Sequence, residues 1–309
     1  MWRKCDKCGA LLKGQRLIRT HICGDRQCPS CHQSASLTDH RCFIQVERAS
    51  RETKKRQPKV LYVFFDIKAM QTDQGHVPNL LVCQRHDQTD FYHWFGADCQ
   101  GEVPLTVLAH NFQGYDSYPV IEQLHELAIH LKQVQNGGKV LELTCFGSVR
   151  FIDSMSFFQL PLAKFPETFG LRELKKGYFP HLFNTPAHQT YVGPLPDVEH
   201  YMPDSMTPKL RDAFLKWHAD WGSVFDFQHE LLAYCQSDVH LLKEGCRTFQ
   251  RDFKERAGFC PFEQMTIASA CNRYMRRHCL ERDTIACEPP HGWGGRHTNQ
   301  SVAAFQWLE

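Results

Sequence analysis

The stretch "VLYVFFDIKAM", Val60 to Met70, decides the fold. Its apolar, β-branched run reads as a buried strand that delivers Asp66 at its end. Side chains alternate along a strand, so Asp66 and Lys68 leave the same face. Carboxylates at both positions would make half of a metal site, yet the second is a cation.

Outward from that strand, "PLTVLAHNFQGYDSYPVIEQLHELA" reads as a second buried strand (Leu105 to Ala109), a turn, and a helix from about Ser117. "NGGKVLELTCFGSVRFIDS" reads as two strands around a Gly-Ser turn, entered through Asn136-Gly137-Gly138. Residues 178–208, rich in Pro, His and Asn, read as an irregular excursion. Leu231, Tyr234, Val239 and Leu242 recur at helical spacing after Asp226, a suitable N-cap. A last amphipathic helix is expected over roughly Met265 to Cys279.

The 309 residues are 42% hydrophobic and 23% charged, which suits one large or two smaller globular domains. No apolar run is long enough for a membrane span, and the start has no signal-peptide core. Fifteen cysteines without such a signal point to an intracellular, reducing compartment, the nucleus in a eukaryotic host. The net charge of +2 hides an asymmetry. Residues 1–60 carry 14 Lys/Arg against 5 Asp/Glu, and the remainder 22 against 29. A basic module, suited to a polyanion such as DNA, precedes a mildly acidic body.

Six of the cysteines fall within the first 42 residues. Cys5 pairs by spacing with Cys8, His21 with Cys23, Cys28 with Cys31, and His40 with Cys42. These supply enough ligands for two tetrahedral zinc sites, with His32 as a substitute. How the pairs combine is open. So few large apolar residues lie here that a metal staple is expected. The organisation is therefore a zinc module (1–47), a basic linker (48–59), a mixed α/β domain (60–260) and a helical segment (261–309).

Three carboxylates stand out by context: Asp66 at a strand end, Asp116 after a second strand, and Asp238 one helical turn beyond Tyr234. Alone, each has a plain reading as a turn, an N-cap or an exposed helix charge. Together they resemble the three exonuclease motifs of the DEDDy 3′–5′ exonucleases found in family B DNA polymerases. "FDIKAM" supplies Asp66 but has Lys68 where that family has glutamate; "AHNFQGYD" supplies Asn111, Tyr115 and Asp116; "YCQSD" supplies Tyr234 and Asp238. "FGLRELKKGYFPHLFN", "MTIASACNRYM" and "NQSVAAFQWL" resemble the protein-primed family B polymerases of Polinton/Maverick-type transposons. The paired Cys and His ending in "HRCFIQ" resemble the zinc region ahead of their exonuclease domain.

The resemblance implies a ribonuclease-H-like mixed sheet flanked by helices. It also implies two-metal hydrolysis of a terminal phosphodiester, with magnesium or manganese held by Asp66, Asp116 and Asp238 and water oriented by Tyr234. DNA, above all a single-stranded 3′ end, is the implied partner. It would contact Asn111, Phe112, Tyr115, Leu171, Lys176 and Phe179. A terminal protein or the remaining polymerase body is a further implied partner.

Palm motifs of the family do not occur before Glu309, so this chain is expected to be the N-terminal and exonuclease portion. Lys68 changes the formal charge of the four motif side chains from −4 to −2 and brings an ammonium into the volume a metal needs. Silenced proofreading is the expectation, and a nuclease-dead, zinc-bearing adaptor for single-stranded DNA or protein is the alternative. Glu142 or Glu167 moving in as a replacement ligand would instead preserve the chemistry.

Overall fold

The computed structural model describes residues 42–47, 60–73, 75–95, 105–146, 149–171 and 177–287, with the backbone of four short N-terminal strands. The chain divides into two compact units, residues 55–270 and residues 1–54 with 271–309.

In the second of these units, β1 (Trp2–Lys4) pairs with β2 (Leu11–Lys13), and β3 (Asp25–Gln27) with β4 (Ser34–Ser36), both antiparallel. Of the eight expected zinc ligands, Cys5, Cys8, His21, Cys23, Cys28, Cys31 and His40 lie outside the described residues. Cys42 is described and buried, and its carbonyl accepts from Cys287 N at 2.7 Å. Phe43 bridges Ala286, Glu47 N bonds Arg276 O, and Arg273 Nε meets Glu47 Oε1 at 2.8 Å. Residues 271–287 are thus tied to 42–47, whereas the sequence reading set 261–309 apart. Pairing between segments so distant in the chain leaves no local pattern to read.

Residues 55–270 are built on a seven-stranded sheet. Its strands are β5 (Leu61–Thr72), β6 (Gly75–Arg85), β7 (Phe91–Phe95), β8 (Leu105–Ala109), β9 (Leu131–Asn136), β10 (Lys139–Cys145) and β11 (Val149–Asp153), in the order β7-β6-β5-β8-β11-β10-β9. The pairs β5/β8 and β8/β11 are parallel and the rest antiparallel, so the sheet is mixed. Helix α1 (Ser117–Glu126) follows the second parallel strand as its sequence suggests. The excursion at 178–208 is mostly short 3₁₀ turns and contributes Val192–Gly193 to a two-residue pairing with Phe225–Asp226.

Alternation along β5 sets the two layers. Phe64 turns to one face and packs with Leu80, Val82, Leu108 and Ile152 beneath the long helix, while Phe65 turns to the other with Val107, Leu124 and Leu143. The long helix, residues Phe227–Ala257, lies over the first face with Leu231, Cys235, Val239 and Leu242 buried. Asp226 caps it by accepting from His229 N at 3.1 Å, and Gly258 at φ +73° ends it. None of the described helices is long and apolar enough to cross a membrane.

Gly245 sits where the long helix meets the short helix Phe165–Phe169. A Cβ there would lie 2.9 Å from Phe165 Cε2 and 3.1 Å from Phe169 Cδ2, and Phe165 is wholly buried. Gly→Ala inside a helix ordinarily stabilises by about 1 kcal/mol. At this position overpacking should reverse the sign, and Gly245→Ala should cost about 1–3 kcal/mol in urea denaturation. A more stable variant would mean that the helices separate without strain.

Candidate functional site

Even-numbered residues of β5 face the long helix, so the parity that buries Phe64 also sends Asp66 and Lys68 towards it. Lys68 Nζ lies 2.7 Å from Asp66 Oδ2 and 2.8 Å from Asp238 Oδ2. It also lies 4.6 Å from the centre of the Tyr234 ring, within cation–π range. The Asp238 side chain is 3% exposed and that of Lys68 is 15% exposed. Burial alone would make the ammonium shed its proton, but the charges of Asp66 and Asp238 outweigh it and hold the lysine pKa well above its ordinary value. The cation is therefore permanent at neutral pH.

Asp116 approaches the same strand from the opposite edge. Parallel pairing of β8 with β5 stops at Phe64↔Leu108, beyond which the loop 110–116 lies alongside. Asp116 occupies the N-cap position of α1 without capping it; its carboxylate instead takes a hydrogen bond from Ile67 N–H, between Asp66 and Lys68 in sequence. Burial, then the charge of Asp66, raise its pKa well above the ordinary value, with Lys68 opposing. Among the described residues, no three His, Cys, Asp or Glu side chains stand in a geometry that would share a metal ion.

The supporting shell includes residues the sequence reading passed over. Asp153, fully buried at the end of β11, accepts from Asn111 N and Gln113 N at 3.0 Å and from Met155 N at 2.8 Å. It pins the turn that carries Asp116. Asn111 there adopts φ +67°, and its side chain fills the space beside Gly114 that a Cβ would need. His181 Nε2 lies 3.4 Å from the Tyr234 hydroxyl, and Phe179 stacks on the Tyr234 ring at 5.2 Å. Next to Lys68 the pairing slips: Lys68 faces Leu80, Ala69 faces Pro78, and Asn79 is the extra residue. Asn79 Nδ2 donates to Asn184 and Gln189, while Asn184 Nδ2 holds Ala69 O. The irregular excursion is thus what clamps the bulge beside the lysine.

Several expected contacts change character. Phe112 is wholly buried, stacked on Phe151 at 5.7 Å, because the left-handed Asn111 turns it inward; it is a core ring and not a surface for bases. Phe179 is likewise core, behind Tyr234. Leu171 is partly buried against the same core, and Lys176 lies outside the described residues. Tyr115, 72% exposed, is the aromatic ring of the second motif that faces solvent. Glu142 is paired with Arg150 at 2.7 Å and Glu167 is exposed beside Lys164, so neither replaces the missing glutamate.

Residues 99–292 match the family model for DNA polymerase type B, organellar and viral. The chain belongs to that family. This family B chain is 24% identical over 174 residues to a probable DNA polymerase of Agaricus bitorquis, covering 53% of this chain and 21% of the relative. It is 25% identical over 153 residues to a probable DNA polymerase of Ascobolus immersus, covering 46% of this chain and 13% of that one. It thus spans about a fifth or less of the curated relatives it matches. Among solved structures it is similar to phi29 DNA polymerase complexed with primer-template DNA, with a TM-score of 0.45, 13% identity, and coverage of 68% of this chain and 33% of the other.

Removing the cation should be costly, because it leaves Asp66 and Asp238 facing each other. Lys68→Met is expected to lose about 3–5 kcal/mol of unfolding free energy at pH 7. The lysine contribution is fully present below the unfolded-state pKa near 10.5 and fades as pH rises through the still higher folded value. The native advantage over Lys68→Met should therefore persist from neutral pH to about pH 10 and shrink above it in denaturation curves. An equally stable Lys68→Met protein would contradict the assignment.

Proposed function

We propose that this chain is the N-terminal and exonuclease portion of a protein-primed family B DNA polymerase of Polinton/Maverick type. Its ribonuclease-H-like cleft receives a single-stranded 3′ end but hydrolyses it very slowly. The observation that carries this is one ammonium within 2.8 Å of two of the three motif carboxylates.

The family's metal does not fit this arrangement. Magnesium needs carboxylate oxygens at about 2.0–2.1 Å in near-octahedral geometry, and Lys68 Nζ occupies the space between Asp66 Oδ2 and Asp238 Oδ2. What the residues themselves supply is charge compensation. Four motif carboxylates would repel an incoming phosphate; Lys68 cancels one and removes another, and burial and the charge of Asp66 shift Asp116 towards its neutral form. Tyr115 offers a ring for base stacking at the mouth. Tyr234 keeps its phenol on His181. Binding without rapid cleavage follows.

The paired Cys and His between Cys5 and Cys42 are read as ligands of about two structural zinc ions. The basic N-terminal segment would add to DNA affinity, and a terminal protein or the remaining polymerase body would be the protein partner.

Hydrolysis of a 3′-labelled single-stranded oligonucleotide tests the proposal. Native protein should bind it with affinity that falls as salt rises. Cleavage with magnesium or manganese should be on the order of 10²–10⁴-fold slower than by Lys68→Glu. Fast cleavage by native protein would overturn the silencing. An inert but folded Lys68→Glu protein would favour the nuclease-dead adaptor.

A further inference from the structure

On the long helix, Lys243 lies five residues past Asp238, roughly 140° around the axis, and so faces away from the Lys68 cleft. It lines a cavity of about 580 Å³ between the helix and the β6–β7 turn, with none of Asp66, Lys68, Asp116, Tyr234 or Asp238 in its wall. Lys243 is only 4% exposed. An ammonium has three protons to donate. Among the described residues, the hydrogen bond of this one goes to Gln88 O.

The wall carries the carboxylates of Asp87 and Glu244 beside the cations of Lys243 and Arg247. Arg85 grips Asp87 through two 3.1 Å bonds, and Arg247 pairs with Glu244 at 3.1 Å. Each carboxylate thus has an arginine as its direct partner, and the direct bond of Lys243 goes to a carbonyl instead. A buried charge without a directly bonded counter-ion is costly, and here burial pulls its pKa down, with the charge of Glu244 opposing. An anion in the cavity would relieve that cost. A further donor that suits several oxygens at once is the Arg247 guanidinium at the rim. Phe91, edge-on to His240 at 6.3 Å, adds an apolar wall. The volume exceeds what a bare ion fills and lies in the range of nucleotide-sized ligands.

We infer that this cavity binds the phosphate group of a nucleotide, either free or within a nucleic-acid strand. It is a second site, on a different face of the helix from the carboxylate cleft. Calorimetric titration of the full chain with inorganic phosphate, deoxyadenosine monophosphate, deoxyadenosine and a short oligonucleotide distinguishes the two sources. The free-ligand case gives saturable binding of the monophosphate, weaker binding of inorganic phosphate and none of the nucleoside. The strand case gives oligonucleotide binding alone. In either case Lys243→Met should weaken the binding by roughly tenfold to a hundredfold. Arg247→Glu, at a half-exposed rim position, should also weaken it and serves if Lys243→Met fails to fold. Affinities unchanged in both Lys243→Met and Arg247→Glu, or no binding of any phosphate-bearing probe, would overturn the inference.

Discussion

The carboxylate cleft depends on one ammonium held between two carboxylates. Asp66 and Asp238 come from a strand and a helix far apart in the chain, and their oxygens meet on Lys68 Nζ at 2.7 and 2.8 Å. Neither carboxylate could be buried so near the other without a cation between them. Under the proposed function, a side chain here supplies the positive charge that a metal ion would otherwise supply, and an ammonium has no open coordination position for a water.

Everything nearby serves to hold that arrangement. The slip in pairing at Lys68/Ala69 re-aims the end of β5, and the Asn79–Asn184–Gln189 amides secure the slip. Asp153 ties the second motif's turn by two backbone N–H groups, those of Asn111 and Gln113, and Asp116 there takes the Ile67 N–H rather than capping its own helix. This shell is intact although the glutamate is gone.

Much of this was legible in the sequence where local pattern and chemistry coincide. The apolar run before Asp66, the strand before Asn111 and the helical spacing around Tyr234 each predict an element that the structure contains. The meeting of Lys68 with Asp66 follows from strand parity. Its meeting with Asp238 followed from family resemblance. What was not legible depended on distant partners. Strands β6, β7 and β9 carry Pro78 or mixed polar patterns that do not declare themselves. Asp153 looks like any strand-end acid, and its role exists only through the backbone of residues 111–113 and Met155. Phe112 and Tyr115 sit three residues apart, and the motif names both as candidate DNA contacts. The positive φ of Asn111 sends one inward and leaves the other exposed, and no composition rule anticipates that choice. Cys5, Cys8, His21, Cys23, Cys28, Cys31 and His40 fall outside the described residues, so the geometry leaves their expected zinc pairing as the spacing alone has it.

The most direct measurement is anomalous diffraction from manganese-soaked crystals of the native protein and of Lys68→Glu. No manganese peak is expected between Asp66 and Asp238 in the native crystal, with the Lys68 ammonium in that position. A peak there is expected once glutamate is restored. A native peak bridging Asp66 and Asp238, with Lys68 swung out of the cleft, would contradict the claim that the lysine has taken the metal's place.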